Sequence, residues 1–233
     1  MNTPRAIEEL GDRALLLQYG DSIDADVNAR VHAASRAIAG LRLPGIVELV
    51  PGYASLAVVF DPAYWQDEEA TPAQRCALAL QPAFATSAAA TGDADAGVEI
   101  PVCYGGEFGP DLDEAAARSG LSPRAFADLH AAGDYRVAML GFAPGFPYLL
   151  GLDARLQQPR RTSPRTRVPA GSVAIGGAQT GIYPRELPGG WMLIGRTPLS
   201  LFDLRAAPPN RLAAGMRVRF VAIDAGAPGD HGR

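Results

Sequence analysis

Five arginines crowd one short, proline-interrupted stretch of this 233-residue sequence. Arginine side chains can bind a carboxylate or a phosphate through two parallel hydrogen bonds, and the prolines reduce the entropy lost in holding them in place. The stretch therefore predicts a site for an anionic ligand or for an acidic partner surface, with an ordinary solvated loop as the alternative. The five are Arg155, Arg160, Arg161, Arg165 and Arg167.

Two further segments combine a restrained backbone with side chains suited to ligand binding. Residues 141–148 are Gly-Phe-Ala-Pro-Gly-Phe-Pro-Tyr, in which glycines and prolines fix the backbone while Phe142 and Phe146 present flat faces. This segment predicts a rigid binding wall, or alternatively a barrel corner whose rings fill the core. In residues 176–191, Gln179 and Tyr183 can hydrogen-bond a small amide or carboxylate beside glycines that allow close backbone approach.

Glu107 and His130 are the candidates for proton transfer. Glu107 precedes a predicted helix and is a candidate acid or base, with a turn or cap role as the alternative. His130 lies in the last turn of another predicted helix, where the helix end stabilises an imidazolium, and a structural or surface role is its alternative. The three histidines are far apart and have no cysteine or carboxylate at ligand spacing, so no metal site is predicted.

The composition argues against several classes of protein. All 21 basic residues are arginine, so the chain cannot supply a Schiff-base, phosphate-loop or biotinyl lysine. A net charge of -4 disfavours nucleic-acid binding, which needs a basic surface. No run of residues approaches the ~20 apolar residues that span a bilayer, and the first ten residues do not have the pattern of a signal peptide. We therefore expect a cytoplasmic protein that binds neither membrane nor nucleic acid.

The first part of the sequence alternates strand and helix patterns. Residues 13–19 have a strand pattern and residues 24–41 a helical one, and two apolar runs around Pro51-Gly52 predict a hairpin. Thr71, Pro72 and Gln74 then form the sequence pattern of a capping box. The predicted order is β-α-β-β-α, and a strand over residues 98–104 either completes a ferredoxin-like unit or opens a second domain.

The second part changes to short strands. Asp111 and Ser122 are predicted to cap two helices. From residue 135 onward, short strands alternate with Gly and Pro turns, which predicts a closed or nearly closed antiparallel barrel that includes a strand over residues 200–204. Residues 81–97 are rich in Ala, Thr, Ser, Gly and Asp and can bury little. The predicted division is an N-terminal domain over residues 1–84, a linker over 85–97, a barrel domain over 98–225 and a flexible tail over 226–233.

Four motifs together resemble those of one family. They are Gly-Phe-Ala-Pro-Gly-Phe-Pro-Tyr-Leu from residue 141, Pro-Arg-Arg-x-x-Pro-Arg-x-x-Val-Pro-Ala-Gly-Ser-Val from residue 159, Gln-Thr-Gly-Ile-Tyr-Pro from residue 179 and Pro-Gly-Gly-Trp from residue 188. With residues 100–112, the set resembles the allophanate hydrolase subunit 1 family over nearly the whole chain. The resemblance implies an α+β fold, with a small ferredoxin-like α/β N-terminal domain before a cyclophilin-like antiparallel β-barrel. Leu187 and Gly177 depart from the family, which more often has Ser and Ala there.

The resemblance also implies a function. The family contains the B subunit of 5-oxoprolinase, which works with a homologous, larger C subunit and with a third component, the A subunit, to open the lactam 5-oxo-L-proline to L-glutamate. ATP is the co-substrate of that complex, and whether this chain binds it is left open. The family also contains KipI, so an inhibitor of a sensor histidine kinase is one alternative, and a carboxyltransferase-type module related to urea carboxylase is another.

For the lactam reaction, the sequence predicts two sets of site residues. Glu107, His130 and Arg165 are the predicted catalytic residues, with Glu107 or His130 moving protons and Arg165 stabilising negative charge on the amide oxygen. The predicted substrate-binding residues are Phe142, Phe146, Gln179, Tyr183 and Arg196.

Overall fold

The computed structural model describes residues 3–85 and 97–224, which belong to two compact units. Residues 3–85 belong to the first unit and residues 97–224 to the second. The predicted linker lies outside the described residues except at its two ends, and the predicted tail lies wholly outside them. Residues 81–85, which we expected to bury little, instead form a short helix with Phe84 buried. Within the described ranges, no helix has the length and apolar character needed to cross a membrane.

The first unit is a four-stranded antiparallel sheet packed against helices. Its elements are β1 Ala6–Glu9, β2 Ala14–Gln18, α1 Ala25–Gly40, β3 Ile46–Pro51, β4 Ser55–Phe60, α2 Pro72–Ala79 and α3 Gln81–Ala85. The strand order is β1-β2-β4-β3. Alternate residues of the two central strands, among them Leu17 and Val58, join Val31 and Ile38 of α1 in one buried cluster. The helices therefore cover one face of the sheet, as the period-2 strand pattern requires.

Strand β1 was not expected from the sequence. Its position shows whether the strand over Val98–Tyr104 completes a ferredoxin-like unit or opens a second domain. In a ferredoxin-like sheet, a strand after the second helix pairs with the first strand of the βαββα unit. Here β1 occupies that edge and pairs antiparallel with β2, Ile7 facing Leu17. The strand over Val98–Tyr104 instead opens the second unit. With four residues and three of them exposed, β1 has too little apolar pattern to be seen in the sequence.

Helix starts follow the predicted caps in two cases. The Thr71 hydroxyl accepts a hydrogen bond from the Gln74 backbone N–H at 3.2 Å, and the Gln74 side chain accepts one from the Thr71 N–H at 3.1 Å. This confirms the capping box of α2. Ser122 likewise caps the helix Pro123–Ala131 by accepting from the Ala125 N–H. Each cap satisfies backbone donors that the helix leaves unpaired and contributes about 1 kcal/mol.

The second unit is a closed seven-stranded barrel with two helices and a small separate sheet. Its elements are β5 Val98–Tyr104, α4 Leu112–Arg118, α5 Pro123–Ala131, β6 Tyr135–Leu140, β7 Pro147–Leu150, β8 Arg165–Val168, β9 Ser172–Gly176, β10 Gln179–Ile182, β11 Leu187–Gly189, β12 Met192–Arg196 and β13 Arg217–Ala222. Around the barrel the order is β10-β7-β6-β13-β5-β12-β9, and β9 pairs with β10 to close it. Strands β8 and β11 form the separate two-stranded sheet.

Two details differ from the antiparallel barrel that the sequence predicted. The pairing of β13 with β5 is parallel, because the last strand inserts between β5 and β6 and so runs beside the first strand of the barrel. The strand predicted over residues 200–204 was wrong: that segment has a single bridge, between Phe202 and Asn210. Its apolar residues are not all buried, since Leu204 is highly exposed.

Side chains fill the barrel interior. Inward-facing residues of the strands, such as Val102, Ile175 and Phe220, form one buried cluster with Phe126 of α5. Small barrels are normally filled in this way, so their ligand sites are built on the outer surface by the segments that connect the strands.

A pair of glycines in the turn after β5 tests this packing. A Cβ at Gly109 would overlap the carbonyl oxygen of Ile194 in β12, whereas a Cβ at Gly106 would meet open space, at a φ of +54°. Gly109→Ala should lower the free energy of unfolding of the barrel by about 3 kcal/mol because backbone must move. Gly106→Ala should cost only about 1 kcal/mol, the strain of alanine in a left-handed conformation. Urea denaturation of the two variants measures both losses, and equal losses would contradict the packing described.

Candidate functional site

An open cleft on the outside of the barrel brings together three of the predicted site residues. It encloses about 330 Å³ and lies wholly within the second unit. We call it the aromatic cleft. Its lining consists of Phe142, Phe146, Tyr148, Arg160, Arg161, Pro164, Tyr183, Pro188, Gly189, Gly190 and Trp191.

Four aromatic rings, packed mainly edge to face, form the wall of the aromatic cleft. The buried ring of Phe146 lies at the centre, with ring centroids 4.9 Å from Tyr148, 5.2 Å from Tyr183 and 5.8 Å from Trp191. The last two contacts are edge-to-face, an arrangement that aromatic pairs prefer and that adds about 1 kcal/mol to simple burial. The rings are therefore held rigidly. Phe146 belongs to a buried cluster and also lines the cleft.

The loop over residues 141–146 holds Phe142 at the mouth of the aromatic cleft. Phe142 is 61% exposed and has a φ of +66°, a left-handed conformation that costs a residue other than glycine about 1 kcal/mol. The loop is closed by its own hydrogen bonds, from the Gly141 N–H to the Phe146 carbonyl and from the Phe146 N–H to the Ala143 carbonyl. Backbone strain of this kind is concentrated at functional sites.

The five crowded arginines separate into two groups. Four are paired with carboxylates: Arg155 with Asp153, Arg167 with Glu186, and both Arg161 and Arg165 with Asp111. Arg160 is different, because in the described part of the chain no carboxylate lies within ion-pair distance of it. Its guanidinium instead lies 6.0 Å from the centre of the Trp191 ring, on the wall of the aromatic cleft. Arg160 is thus the member of the group that is available to an anionic ligand.

Asp111 does not cap α4, and that prediction was wrong. Its side chain makes no hydrogen bond to the helix. The carboxylate is only 3% exposed and accepts hydrogen bonds from Arg165 at 2.9 and 2.7 Å, from Arg161 at 3.1 Å and from the Leu193 N–H at 2.7 Å. Hydrogen bonds from two guanidinium groups are stronger than those from helix N–H groups, and they account for the orientation of the side chain. We call Asp111, Arg161 and Arg165 the Asp111 cluster.

Tyr183 is the buried hydrogen-bond donor of the aromatic cleft. Burial is the largest cause that raises the pKa of its hydroxyl above 10.0, so the phenol keeps its proton at neutral pH and can donate to a carbonyl or carboxylate oxygen. The neighbouring Gly189 is required here, because a Cβ at that position would overlap the Tyr183 hydroxyl oxygen. Gly189 and Gly190 therefore let the backbone pass close to the phenol.

His130 lies inside the barrel, away from the aromatic cleft. Its Nδ1 is 2.8 Å from the Tyr104 hydroxyl and its Nε2 is 3.0 Å from the Thr180 hydroxyl, which itself lies 3.0 Å from the Ala174 carbonyl. One tautomer satisfies all three contacts: Thr180 donates to Ala174, Nε2–H donates to Thr180, and Nδ1 accepts from Tyr104. Burial lowers the pKa of His130 from 6.5 to about 3. This environment favours a structural role over the predicted proton transfer.

The remaining predicted residues also lie outside the lining of the aromatic cleft. Glu107 is exposed in the turn after β5. Arg196 lies on β12, with its guanidinium 5.4 Å from the centre of the Phe108 ring, and Gln179 is buried on β10. Arg165 reaches the cleft only indirectly, through the Asp111 carboxylate that it shares with Arg161.

Sequence reasoning missed Arg160 and Trp191 as individual site residues. Both stand in segments that the sequence marked, the arginine stretch and the Pro-Gly-Gly-Trp motif. The distinction among the five arginines depends on Asp111, which lies about fifty positions away in sequence. No sequence pattern within a few positions of the arginines could predict their contact with Asp111.

Comparisons with known proteins agree on one family. Residues 5–212 match the family described as carboxyltransferase domain, subdomain C and D. The B subunit of 5-oxoprolinase from Bacillus subtilis (strain 168) is 46% identical over 221 residues, which is 93% of this chain and 92% of that protein. The B subunit of 5-oxoprolinase from Escherichia coli O157:H7 is 41% identical, and the match covers 91% of this chain and 93% of that protein.

Solved structures show the same fold. TTHA0988 superposes with a TM-score of 0.77 at 38% identity, and the match covers 93% of this chain and 41% of that longer chain. PH0987 of Pyrococcus horikoshii is 42% identical with a TM-score of 0.54, and the match covers 94% and 98% of the two chains. The Kluyveromyces lactis urea carboxylase is only 20% identical, with a TM-score of 0.64 over 93% of this chain and 21% of its own, and shares the fold alone.

The buried state of His130 makes a prediction about stability and pH. Because its pKa is about 3 when folded and 6.5 when exposed, the unfolded chain binds a proton between these values that the folded chain does not. The stabilisation is full above pH 6.5 and is lost progressively as the pH falls towards 3. Between about pH 7.5 and about pH 5, the wild type should lose about 2 kcal/mol more than His130→Gln. Denaturation at the two pH values measures this, and identical losses would show that His130 is not buried and neutral.

Proposed function

The chain belongs to the family described as carboxyltransferase domain, subdomain C and D. From that membership we propose that it is the B subunit of an ATP-dependent 5-oxoprolinase. In this proposal the assembled enzyme opens 5-oxo-L-proline to L-glutamate, and the chain acts only together with the larger C subunit and the third component, the A subunit. The support comes from the identity to two B subunits of 5-oxoprolinase over nearly their full length and from the chemistry of the aromatic cleft.

The observation that carries the proposal is a rigid aromatic wall with one arginine that lacks a carboxylate partner among the described residues. The substrate, 5-oxoproline, is a nearly flat five-membered lactam with one carboxylate. Its ring faces suit the rings of Phe146 and Trp191, and its carboxylate suits the guanidinium of Arg160. The Tyr183 hydroxyl, whose pKa is raised further above neutral chiefly by burial, can donate to the lactam oxygen. A cleft of about 330 Å³ also accommodates a molecule of this size.

The chemistry of lactam opening gives these residues specific tasks. The amide carbon is a poor electrophile because of resonance, and transfer of the terminal phosphoryl group from ATP to the amide oxygen, with release of ADP, would activate it. Water would then add to that carbon, the C–N bond would break as the nitrogen takes up a proton, and hydrolysis of the resulting acyl phosphate would release phosphate. The aromatic wall excludes water from the ring, and the Arg160 contact fixes the orientation of the lactam. A donor placed at the lactam oxygen, such as Tyr183, would fix the position of that oxygen before the phosphoryl transfer.

The aromatic cleft lacks the groups that would complete the reaction. Its lining contains arginine, tyrosine, phenylalanine, tryptophan, proline and glycine, and among these described lining residues there is no carboxylate, imidazole or thiol to act as a general base. Glu107 and His130 lie elsewhere. We therefore propose that this chain binds and orients the lactam, while a partner protein supplies proton transfer. The match to 41% of the longer TTHA0988 chain is in keeping with a family whose members work beside further domains.

The proposal predicts activity only in a reconstituted mixture. The measurement is 5-oxoproline-dependent release of glutamate and ADP, first with this chain alone and then with its two candidate partner proteins. We expect turnover only with all three components. If folded components give no turnover in any mixture, the proposal fails, and carboxyl transfer or inhibition of a sensor kinase becomes the function to test.

Arg160 should control substrate affinity in that mixture. Arg160→Gln removes the lining arginine that has no carboxylate partner among the described residues, so KM for 5-oxoproline should rise about tenfold or more. Arg155→Gln is the matched control, because Arg155 is exposed, paired with Asp153 and outside the lining of the aromatic cleft. Its KM should stay within about twofold of the wild type. Equal effects of the two substitutions would count against the cleft as the substrate site.

A further inference from the structure

Two arginines line the aromatic cleft, but they differ in the charge that they can offer to a ligand. Arg160 has no carboxylate within ion-pair distance in the described ranges, and its guanidinium lies over the ring of Trp191. Arg161 donates to the buried Asp111 carboxylate at 3.1 Å and lies 3.8 Å from Glu114. The two side chains are adjacent in sequence and share one wall, so the difference arises from the carboxylates around Arg161.

One buried carboxylate, that of Asp111, engages both arginines of the Asp111 cluster, whereas Glu114 is paired more closely with Arg118. The Glu114 carboxylate lies 2.6 Å from Arg118 and 3.8 Å from Arg161, so Asp111 is the carboxylate that holds Arg161 by a hydrogen bond. The Asp111 carboxylate, 4% exposed as a side chain, is the member closest to both arginines, and solvent screens it least. Among the described lining residues, Arg160 is therefore the arginine that no carboxylate engages, because the other lining arginine, Arg161, donates to Asp111.

We propose that Asp111 is the specificity-determining residue that limits the aromatic cleft to one available positive charge, so that it selects a monoanionic ring over a dianionic one. The inference rests on the proposed function of the cleft as the 5-oxoproline site. The closed lactam carries one carboxylate and no ammonium group. Its ring-opened product carries two carboxylates and an ammonium group, and the described lining contains no carboxylate to pair with that ammonium.

The contact between Asp111 and Arg161 also has a role in product release in this proposal. An opened product in the aromatic cleft would place a second carboxylate against aromatic rings, where burial without a partner is costly. The second carboxylate could be paired only by Arg161, which Asp111 already holds. Asp111 thus acts through Arg161 and does not need to touch the ligand.

The first test compares two substitutions on the same wall of the cleft. Arg160→Gln and Arg161→Gln each remove one guanidinium, and calorimetry on the full-length chain measures the dissociation constant for 5-oxoproline. We expect Arg160→Gln to weaken binding more than about tenfold and Arg161→Gln less than about threefold. Asp111 keeps Arg165 and the Leu193 N–H in Arg161→Gln, so the fold is retained. Equal losses would overturn the inference, because they would mean that both charges serve the ligand.

The second test changes the number of available charges. Asp111→Asn leaves Arg161 without a charged partner in the cluster. The dissociation constants of two planar probes with the same ring, pyrrole-2-carboxylate and pyrrole-2,5-dicarboxylate, are then measured for this variant and for the wild type. The ratio of their dissociation constants should shift about tenfold in favour of the dicarboxylate relative to wild type. Any steric penalty of the larger probe cancels in this comparison. Loss of packing alone would weaken both probes and leave the ratio unchanged, which would contradict a role in specificity.

Controls separate this inference from the proposed function. Glu114→Gln removes an exposed carboxylate near Arg161 and should shift the ratio by less than about twofold. If wild type binds no 5-oxoproline, the proposed substrate site fails and the inference fails with it. If wild type binds 5-oxoproline but Asp111→Asn keeps the wild-type ratio, only the inference fails. Should Asp111→Asn not fold, the Arg160 and Arg161 pair decides the question.

Discussion

The Asp111 carboxylate ties together three segments that are distant in sequence. It follows β5, and its four hydrogen bonds reach Arg161 and Arg165 in the proline-rich stretch and the Leu193 backbone in β12. Moving a carboxylate out of water is costly unless it is paired and fully hydrogen-bonded, and removal of one partner from such a buried pair typically costs about 3–5 kcal/mol. The position of the arginine stretch beside the barrel, and hence one side of the aromatic cleft, depends on this contact.

The rest of the cleft follows from packing. Phe146 is surrounded by Tyr148, Tyr183 and Trp191, so the wall cannot rearrange without losing several ring contacts at once. A wall that is already in place orders little on binding and keeps the entropic cost of holding a small ligand low. The described lining of the cleft contains no carboxylate, imidazole or thiol that could act as a general base, which agrees with the proposed role in binding and orienting the lactam.

Local signals in the sequence predicted much of the fold. The capping box at Thr71, the cap at Ser122 and the strand Tyr135–Leu140 were all confirmed, because each depends on residues within a few positions of one another. Long-range contacts were the source of the errors. The parallel β5–β13 pairing joins strands far apart in the chain, and the edge strand β1 is too short and exposed to carry a pattern.

The same division applies to the site. Sequence motifs marked the segments of Phe142, Phe146 and Tyr183, which the aromatic cleft brings together. They could not show that Asp111 would pair with Arg161 while Arg160 stayed available, or that His130 would be enclosed between Tyr104 and Thr180.

The central claim, that 5-oxoproline binds in the aromatic cleft, is tested most directly by the indole N–H resonances of the two tryptophans during titration with 5-oxoproline. Trp191 lines the cleft and Trp65 lies in the core of the first unit. We predict a saturable shift of the Trp191 resonance with Trp65 unchanged; an unchanged Trp191 resonance at saturating 5-oxoproline would contradict the account.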